Sequence, residues 1–216
     1  LKLAQNIAGA ALLDRYTIAF EYSDCWVEDA RLVVLNARDA AERGANIYVR
    51  REVIATERAA DHWRLTLRGG RDRQIHHLRV QAIVKAAGPW VGEVLQNRLK
   101  RSNKPPLRLV KGSHIITRRL FDHDRAYILQ NDDGRIVFAI PYEADFTLIG
   151  TTDVDIDGDP GAATISPAET DYLCAAINRF FATPITPKDV VATFSGVRPL
   201  FDNGATAAHQ ATRDFV

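Results

Sequence analysis

The second half of the chain is a succession of strand-like runs separated by short turns, and this pattern limits the folds that the chain can adopt. Five runs carry the pattern: LRLVKGSHIIT, AYILQ, RIVFAIPY, FTLIGTT and VVATFSGVRPL. The loop Asn131–Gly134 consists of residue types that favour tight turns between neighbouring strands. The pattern therefore predicts an antiparallel sheet built largely from hairpins.

Two amphipathic or well-capped segments predict helices. Glu28 and Asp29 open the first, since acidic residues suit the positive end of a helix, and Gly44 is a natural residue to end it. The second begins at Ser166 with an N-cap serine, a proline at the first position and a glutamate at the third, and should run to about Phe181.

The first half of the chain mixes both patterns. Residues 17–27 are typical of a strand that runs into a turn, and residues 46–55, 62–67 and 74–80 predict an antiparallel meander. A buried strand at 81–86 should then turn at Gly88 into a helix that extends from Trp90 to about residue 99. Such a strand–helix turn can hold a phosphate, although a plain connection is an equally good interpretation.

These patterns together predict an α+β fold. Residues 100–106, KRSNKPP, are the best candidate for a domain boundary, because the helical pattern before them gives way to strands after them. The first of the two predicted domains spans residues 25–105. The second spans residues 1–24 and 106–216.

Composition excludes some classes of protein. The 216 residues are 46% apolar and 25% charged with a net charge of +1, so nothing indicates nucleic acid or an anionic membrane surface as the main partner. The uncharged apolar runs are shorter than the ~20 residues that cross a bilayer. Cys25 and Cys174 are far apart, which favours a reduced, intracellular compartment. The chain starts at Leu1 and lacks methionine, which indicates a piece of a longer protein.

Common cofactor and metal motifs are missing or incomplete. No Gly-x-Gly occurs, so the chain has no Rossmann fingerprint of its own. The segment DVDIDG opens like an EF-hand loop, but its twelfth position is Thr164 rather than glutamate, which favours a solvated acidic turn. His76 and His77 are adjacent, so on a strand they point to opposite faces. No metal site is predicted.

Three residues are candidates for chemistry. Arg198 ends an apolar strand and Arg213 lies near the end of the chain, and a guanidinium at either place suits a phosphate or carboxylate. An ordinary ion pair is an equally good interpretation for each. His114 alternates with Val110 and Ile116, so a hydrogen-bonded core histidine is the default interpretation of it.

Seven motifs in a fixed order give a more specific indication. They are EYSDCWVEDARLV, KAAGPWV, KGSHII, YILQNDDGRIVFAIPY, FTLIGTTDVD, FSGVRPL and TRDF. The series closely resembles successive motifs of the FAD-dependent glycerol-3-phosphate dehydrogenases, from about Tyr22 to Phe215. The resemblance implies that this chain is the middle of the enzyme, with the Gly-rich dinucleotide turn before it and a last flavin-contacting segment after it.

The resemblance also implies that the two domains have different functions. Residues 25–105 would be a partial FAD-binding domain, and residues 1–24 and 106–216 the substrate-binding domain. The residues that would contact FAD are Val53, Ala87, Gly88, Pro89 and Trp90. Lys85 departs from the family pattern, which commonly has asparagine at this position.

The implied reaction is oxidation of sn-glycerol 3-phosphate to dihydroxyacetone phosphate, with hydride transfer to FAD and electrons passed to a quinone. Arg198 and Arg213 would bind the substrate, with Arg198 also catalytic, and His114 would act near the flavin as a proton acceptor with a pKa suited to neutral pH. The GTTD motif, Thr151, Thr152 and Asp153, would shape the site. The resemblance further implies a cytoplasmic enzyme, peripheral on the inner face of the membrane, in which a homo-oligomer is allowed.

Two alternatives stay open. The flavin fold could serve an amino acid or a 2-hydroxy acid, because an arginine holds a carboxylate as readily as a phosphate. The chain by itself could also be a non-catalytic, anion-binding domain, because without the Gly-rich turn it should not hold FAD tightly. Inhibition by phosphate rather than acetate, and the colour of the purified chain, would distinguish these alternatives.

Overall fold

A computed structural model describes residues 1–100, 107–204, 206 and 208. The chain divides into two compact units. One consists of Leu1–Glu21, Gly88–Trp90 and Pro105–Val216, and the other of Tyr22–Ala87 and Val91–Lys104. Helices and antiparallel sheets occur in the chain together, which confirms the predicted α+β class. The assignment of functions to residues 25–105 and to the rest stays a prediction.

The second unit begins with helix α1, Asp29–Glu42, as predicted. The Glu28 side chain accepts a hydrogen bond from the backbone of Arg31 and caps the helix at its N-terminus. The helix ends before Gly44, whose φ of +96° is the left-handed conformation that glycine adopts at little cost. No residue of α1 is buried.

A three-stranded meander follows in the same unit, and it confirms the predicted hairpin pattern. Its strands are β1 (Arg51–Arg58), β2 (Trp63–Gly69) and β3 (Ile75–Val80). They pair antiparallel in the order β1-β2-β3. The first strand starts five residues later than predicted, because the chain turns at Arg50, where φ is +54°.

Two predicted strands are wrong. Residues 81–87 form no strand, and within 17–27 the only strand-like pairing described is a bridge from Ile18 to Lys2. An apolar run becomes a strand only where another strand satisfies its backbone groups. The side chains of Phe20 and Trp26 are also largely exposed rather than packed.

The turn at Gly88 is present, but the helix after it is shorter and less regular than predicted. Gly88 has a φ of +53°, which explains the glycine at this position. A single 3₁₀ turn, Gly88–Trp90, leads into α2, Val91–Glu93, and then into a five-residue π-type turn, Val94–Arg98.

The first unit contains a six-stranded antiparallel sheet. Its strands are β4 (Leu107–Arg118), β5 (Tyr127–Gln130), β6 (Ile136–Tyr142), β7 (Phe146–Gly150), β8 (Val154–Asp155) and β9 (Val190–Phe201). The order runs β5-β6-β7-β4-β8, and β9 pairs along β4. The second half of the chain thus forms the predicted sheet, with β4 at its centre.

One face of this sheet, which we call the core face, packs against helix α3, Pro167–Asn178. The helix begins with the predicted capping box, in which Ser166 and Glu169 bond each other's backbone. Alternate strand positions point to this face, and they interlock with the helix to form the core. Its most buried members are Ile115, Val137, Ala139, Ile149, Leu173 and Ile177.

The other face of the sheet, the open face, carries the intervening positions. Around β4 these are Gly112, His114 and Ile116, with Phe194, Gly196 and Arg198 beside them on β9 and Gly150 on β7. Several apolar side chains on this face stay partly exposed, among them Phe138 at 37% and Phe194 at 48%, although Val110, opposite Arg198, is fully buried. The open face is therefore where the sheet presents side chains that the core does not cover.

Candidate active site

Arg198 lies on the open face where β9 runs beside β4. Its guanidinium donates to a carboxylate oxygen of Asp153 at 3.2 Å and to the hydroxyl of Thr151 at 3.4 Å. The Asp153 side chain is 9% exposed, whereas that of Arg198 is 34% exposed. Two residues of the GTTD motif thus fix the guanidinium while part of it remains accessible, and the role of these residues in a site stays a prediction.

Gly112 makes this arrangement sterically feasible. A Cβ atom at this position would lie 2.5 Å from the Thr151 hydroxyl oxygen and 2.7 Å from both terminal nitrogens of Arg198. The guanidinium therefore lies across the bare backbone of β4. Any side chain at residue 112 would displace it.

His114 lies two residues further along the same face. It faces Gly150 on β7 and Phe194 on β9, and its ring stacks on Phe194 with centroids 4.6 Å apart and planes 6° from parallel. A Cβ at Gly150 would overlap the imidazole, at 2.7 Å from its Cγ and Nε2. Here too a glycine lets a side chain lie flat on the sheet.

The imidazole of His114 is incompletely hydrogen-bonded. Its Nδ1 is buried and has no hydrogen-bond partner within the described part of the chain. The default interpretation of a hydrogen-bonded core histidine is therefore wrong. Buried polar atoms almost always have partners, so this unpaired ring nitrogen is unusual and makes His114 a candidate for a functional role.

The electrostatic environment keeps His114 neutral. Burial, with the positive charge of Arg198 as the second cause, lowers the pKa of His114 to about 4. The expected pKa near neutral pH is thus wrong for the unliganded chain. At pH 7 the ring carries no charge and keeps one nitrogen lone pair available to accept a proton.

Thr152 points the other way from its neighbours in the GTTD motif. Its hydroxyl donates to Glu169 at 2.8 Å and accepts from the Ser113 backbone N–H at 3.0 Å, both on the core face. Within the described part of the chain, Thr152 therefore makes no hydrogen bond to the guanidinium that Thr151 and Asp153 hold.

Beneath the site lies a buried polar cluster that the sequence did not indicate. Glu169, predicted only as a helix cap, also accepts from Lys111 at 2.7 Å and from Ser113 at 2.8 Å. Burial raises the pKa of its carboxyl, but the hydrogen bonds from Lys111, Ser166, Thr152 and Ser113 outweigh that effect and lower it to about 2. A lysine at an inward position of an apolar strand was the one available signal, since such a charge requires a buried partner.

The five predicted FAD contacts fall into two groups. Val53, on β1, and Ala87 belong to the second unit. Gly88, Pro89 and Trp90 are grouped with the first unit, where their turn contacts β9. Their role in binding FAD stays a prediction. Arg213 lies outside the described residues.

Neither a metal centre nor a membrane span is found among the residues that the structure describes. No cluster of three or more histidine, cysteine, aspartate or glutamate side chains could hold an ion there. In the DVDIDG segment, Asp153 pairs with Arg198 and Asp155 with Arg108 at 2.6 Å. No helix over the same residues is long and apolar enough to cross a bilayer.

Comparison with known proteins gives the class of protein to which this sheet and its open-face residues belong. The family model described as FAD dependent oxidoreductase matches residues 3–215. The chain therefore belongs to the FAD-dependent oxidoreductase family.

Individual relatives agree with the resemblance. The chain is 44% identical over all 216 residues to D-erythritol 1-phosphate dehydrogenase of Brucella abortus, covering 43% of that protein. It is 46% identical over 91% of its length to glycerol-3-phosphate dehydrogenase of Pseudomonas aeruginosa, covering 38% of it. The chain thus spans about two fifths of the length of these curated relatives.

Solved structures have the same fold. The glycerol-3-phosphate dehydrogenase of Bacillus halodurans, complexed with FAD, superposes with a TM-score of 0.70 at 30% identity, over 80% of this chain and 35% of that one. The L-alpha-glycerophosphate oxidase of Mycoplasma pneumoniae superposes with a TM-score of 0.61 at 15% identity, which supports the fold alone.

Proposed function

We propose that this chain forms the substrate-binding part of an FAD-dependent dehydrogenase that oxidises sn-glycerol 3-phosphate to dihydroxyacetone phosphate. The observation that carries the proposal is that one sheet face holds both a fixed, partly exposed Arg198 and a His114 whose Nδ1 has no hydrogen-bond partner among the described residues. Oxidation of a phosphorylated alcohol needs a cation for the phosphate and an acceptor for the hydroxyl proton. Relatives named glycerol-3-phosphate dehydrogenases support the choice of substrate.

The residues of the open face fit a flat cofactor. Nothing lies within 4 Å of where a Cβ of Gly196 on β9 would be, whereas the guanidinium of Arg198 covers Gly112 opposite it on β4. The backbone at Gly196 is therefore open to a flat ring. Bound FAD would supply the acceptor for the hydride that leaves the substrate carbon. We propose that the residues Val53, Ala87, Gly88, Pro89 and Trp90 contact it.

Arg198 would bind the substrate phosphate. A guanidinium can hold two phosphate oxygens through parallel N–H donors, and Asp153 and Thr151 already fix its direction. Since the Asp153 carboxylate repels an anion, the phosphate would approach the guanidinium from the exposed side. We propose that Arg213 adds a second positive charge to the same phosphate.

His114 would accept the hydroxyl proton. As the C–H and O–H bonds break and a C=O bond forms, the imidazole would take the proton while the bound cofactor would supply the hydride acceptor. A pKa of about 4 makes the free imidazole a weak base. A bound phosphate dianion would neutralise Arg198 and favour the imidazolium, so substrate binding itself would raise the pKa.

The partners of the whole protein follow from the resemblance. We propose that the electrons pass to a quinone, and that the whole enzyme is a cytoplasmic protein attached peripherally to the inner face of the membrane. A homo-oligomer is compatible with this proposal. The name of the Escherichia coli relative, aerobic glycerol-3-phosphate dehydrogenase, supports a respiratory role.

D-Erythritol 1-phosphate is a second candidate substrate. The observation in its favour is the relative from Brucella abortus, which matches the chain over its whole length. Both candidates are phosphate esters of small polyols, so the same guanidinium and imidazole would serve either one. The two proposals differ only in the space that the site allows beyond the reacting carbon.

A substrate panel tests both proposals on the full-length protein. Dye reduction would be measured with sn-glycerol 3-phosphate, D-erythritol 1-phosphate, glycine, sarcosine and 2-hydroxyglutarate. We expect turnover with the phosphate esters alone, the highest kcat/KM with sn-glycerol 3-phosphate, and competitive inhibition by inorganic phosphate but not acetate. A higher kcat/KM with D-erythritol 1-phosphate would establish the second candidate. Turnover with an amino acid or a hydroxy acid would overturn both.

A further inference from the structure

Glu169 makes far more contacts than a helix cap requires. In a capping box the glutamate needs only the N-cap backbone N–H, which here is that of Ser166 at 2.8 Å. Glu169 also accepts from the side chains of Ser166, Lys111, Ser113 and Thr152 at 2.7–2.9 Å. Its side chain is 7% exposed. One carboxylate thus connects α3 to the centre of the sheet.

Two of the residues that Glu169 holds are the middle members of short segments. Ser113 lies between Gly112 and His114, and Thr152 lies between Thr151 and Asp153. On each segment the middle residue points to the core face and its two neighbours belong to the open face. Fixing the middle residue from the core face therefore fixes the direction of its neighbours.

A third segment is connected indirectly. The hydroxyl of Ser113 lies 2.9 Å from that of Ser195 on β9. Ser195 separates Phe194, on which His114 stacks, from Gly196. The same carboxylate thereby reaches the segments on β4, on β9 and after β7 that together carry the open-face site.

We propose that Glu169 is a positioning residue, which holds the three segments in register from the core face and so sets the relative placement of Arg198 and His114. It does not touch the substrate itself. This inference rests on the proposed function for its kinetic consequence. Its structural consequence is that residues 112–114 and 151–153 are held in place, and this does not depend on any substrate.

The test is Glu169→Gln in the full-length protein. The amide has nearly the shape of the carboxylate, but it lacks the charge and can no longer accept five hydrogen bonds. We expect the KM for sn-glycerol 3-phosphate to rise at least tenfold, because Arg198 loses its fixed direction. We also expect faster amide hydrogen exchange, measured by mass spectrometry without substrate, in peptides covering residues 111–115 and 150–154.

Asp189→Asn is the matched control. Asp189 caps a short 3₁₀ turn, Pro187–Asp189, and accepts from the backbone and the hydroxyl of Thr186 at 2.7 and 2.8 Å, in the same geometry as Glu169 with Ser166. Both of these hydrogen bonds lie within the turn itself and do not involve the open-face segments. We expect its KM to change less than twofold and exchange at 150–154 to be unaltered.

Ser166→Ala separates capping from positioning. It removes the hydroxyl cap of α3 while leaving the hydrogen bonds from Ser113 and Thr152 to Glu169. We expect a lower Tm with KM within twofold of the wild type. If Glu169→Gln instead behaves like Ser166→Ala, with faster exchange confined to α3 and an unchanged KM, the positioning role is refuted. If the wild type oxidises no polyol phosphate, the proposed function fails, and the exchange data alone decide the inference.

Discussion

The two faces of the six-stranded sheet differ in how completely their polar side chains are paired. On the core face, Lys111, Ser113 and Thr152 all bond to one buried carboxylate, that of Glu169. On the open face, His114 has an unpaired Nδ1 and the Arg198 side chain stays 34% exposed. A buried charge must be fully paired to be tolerated, whereas an unpaired polar atom costs stability. The contrast indicates that polar groups on the core face stabilise the fold, whereas those on the open face are candidates for binding a ligand.

The largest effect should come from removing the guanidinium of the open face. Arg198→Ala in the full-length enzyme should lower kcat/KM for sn-glycerol 3-phosphate by ~100-fold or more, since loss of a charge-assisted contact costs ~2–5 kcal/mol. Steady-state dye reduction measures this change in kcat/KM.

Arg108→Ala supplies the control for that variant. Arg108 also lies on this sheet and also pairs with an aspartate, Asp155, at 2.6 Å. The proposed function assigns Arg108 no role in substrate binding, so kcat/KM of this variant should stay within threefold of the wild type. A change below threefold in Arg198→Ala would remove Arg198 from the substrate site.

A smaller effect is expected in the pH dependence of stability. The pKa of His114 is about 4 in the folded chain and near 6.5 when unfolded, so the unfolded state binds the proton more readily. The stabilisation is complete above pH 6.5 and is lost as the pH falls from 6.5 towards 4. We expect a loss of about 1–2 kcal/mol after screening by solvent.

Urea unfolding of the wild type and of His114→Gln at pH 7.5, 6, 5 and 4.5 would isolate this contribution. The variant should show a shallower decline than the wild type across this range. Glu169 does not interfere above pH 4.5, because its pKa is lowered to about 2 and its stabilisation is lost only below pH 4.5. Parallel curves for the two proteins would mean that His114 is not held neutral.

Much of the fold could be predicted because local signals coincide with the final contacts. Strands β4 to β7 and β9 alternate with a period of two, and the Ser166–Glu169 capping box marks the start of α3. Residues 81–86 failed as a strand because an apolar run does not reveal whether a neighbouring strand exists to pair with it.

The site was harder to predict than the fold. The motif resemblance indicated Arg198, Thr151 and Asp153, which the structure does bring together. The pKa of His114 was missed, because it depends on packing against residues of two other strands. The role of Glu169 was missed as well, since its bond to Ser113 spans 56 residues of sequence and a capping pattern describes only its own turn.

The smallest expected effect is on the free energy of unfolding, and it compares how tightly side chains are packed on the two faces. Ile115 and Ile116 are adjacent on β4, with Ile115 completely buried on the core face and Ile116 half-buried on the open face. Ile115→Val should lower the free energy of unfolding by about 1 kcal/mol, because removal of a buried methylene leaves a cavity that α3 cannot collapse to fill. Ile116→Val should cost clearly less, at most about 0.5 kcal/mol, since solvent already contacts that side chain.

Urea midpoints at constant slope measure this difference. Equal losses in Ile115→Val and Ile116→Val would show that something in the whole protein packs the open face as tightly as α3 packs the core face. A larger loss in Ile115→Val alone would instead mean that the open face remains accessible. In that case the exposed side of Arg198 is available to a ligand, whereas the buried Nδ1 of His114 would be reached only after a local movement of its neighbours.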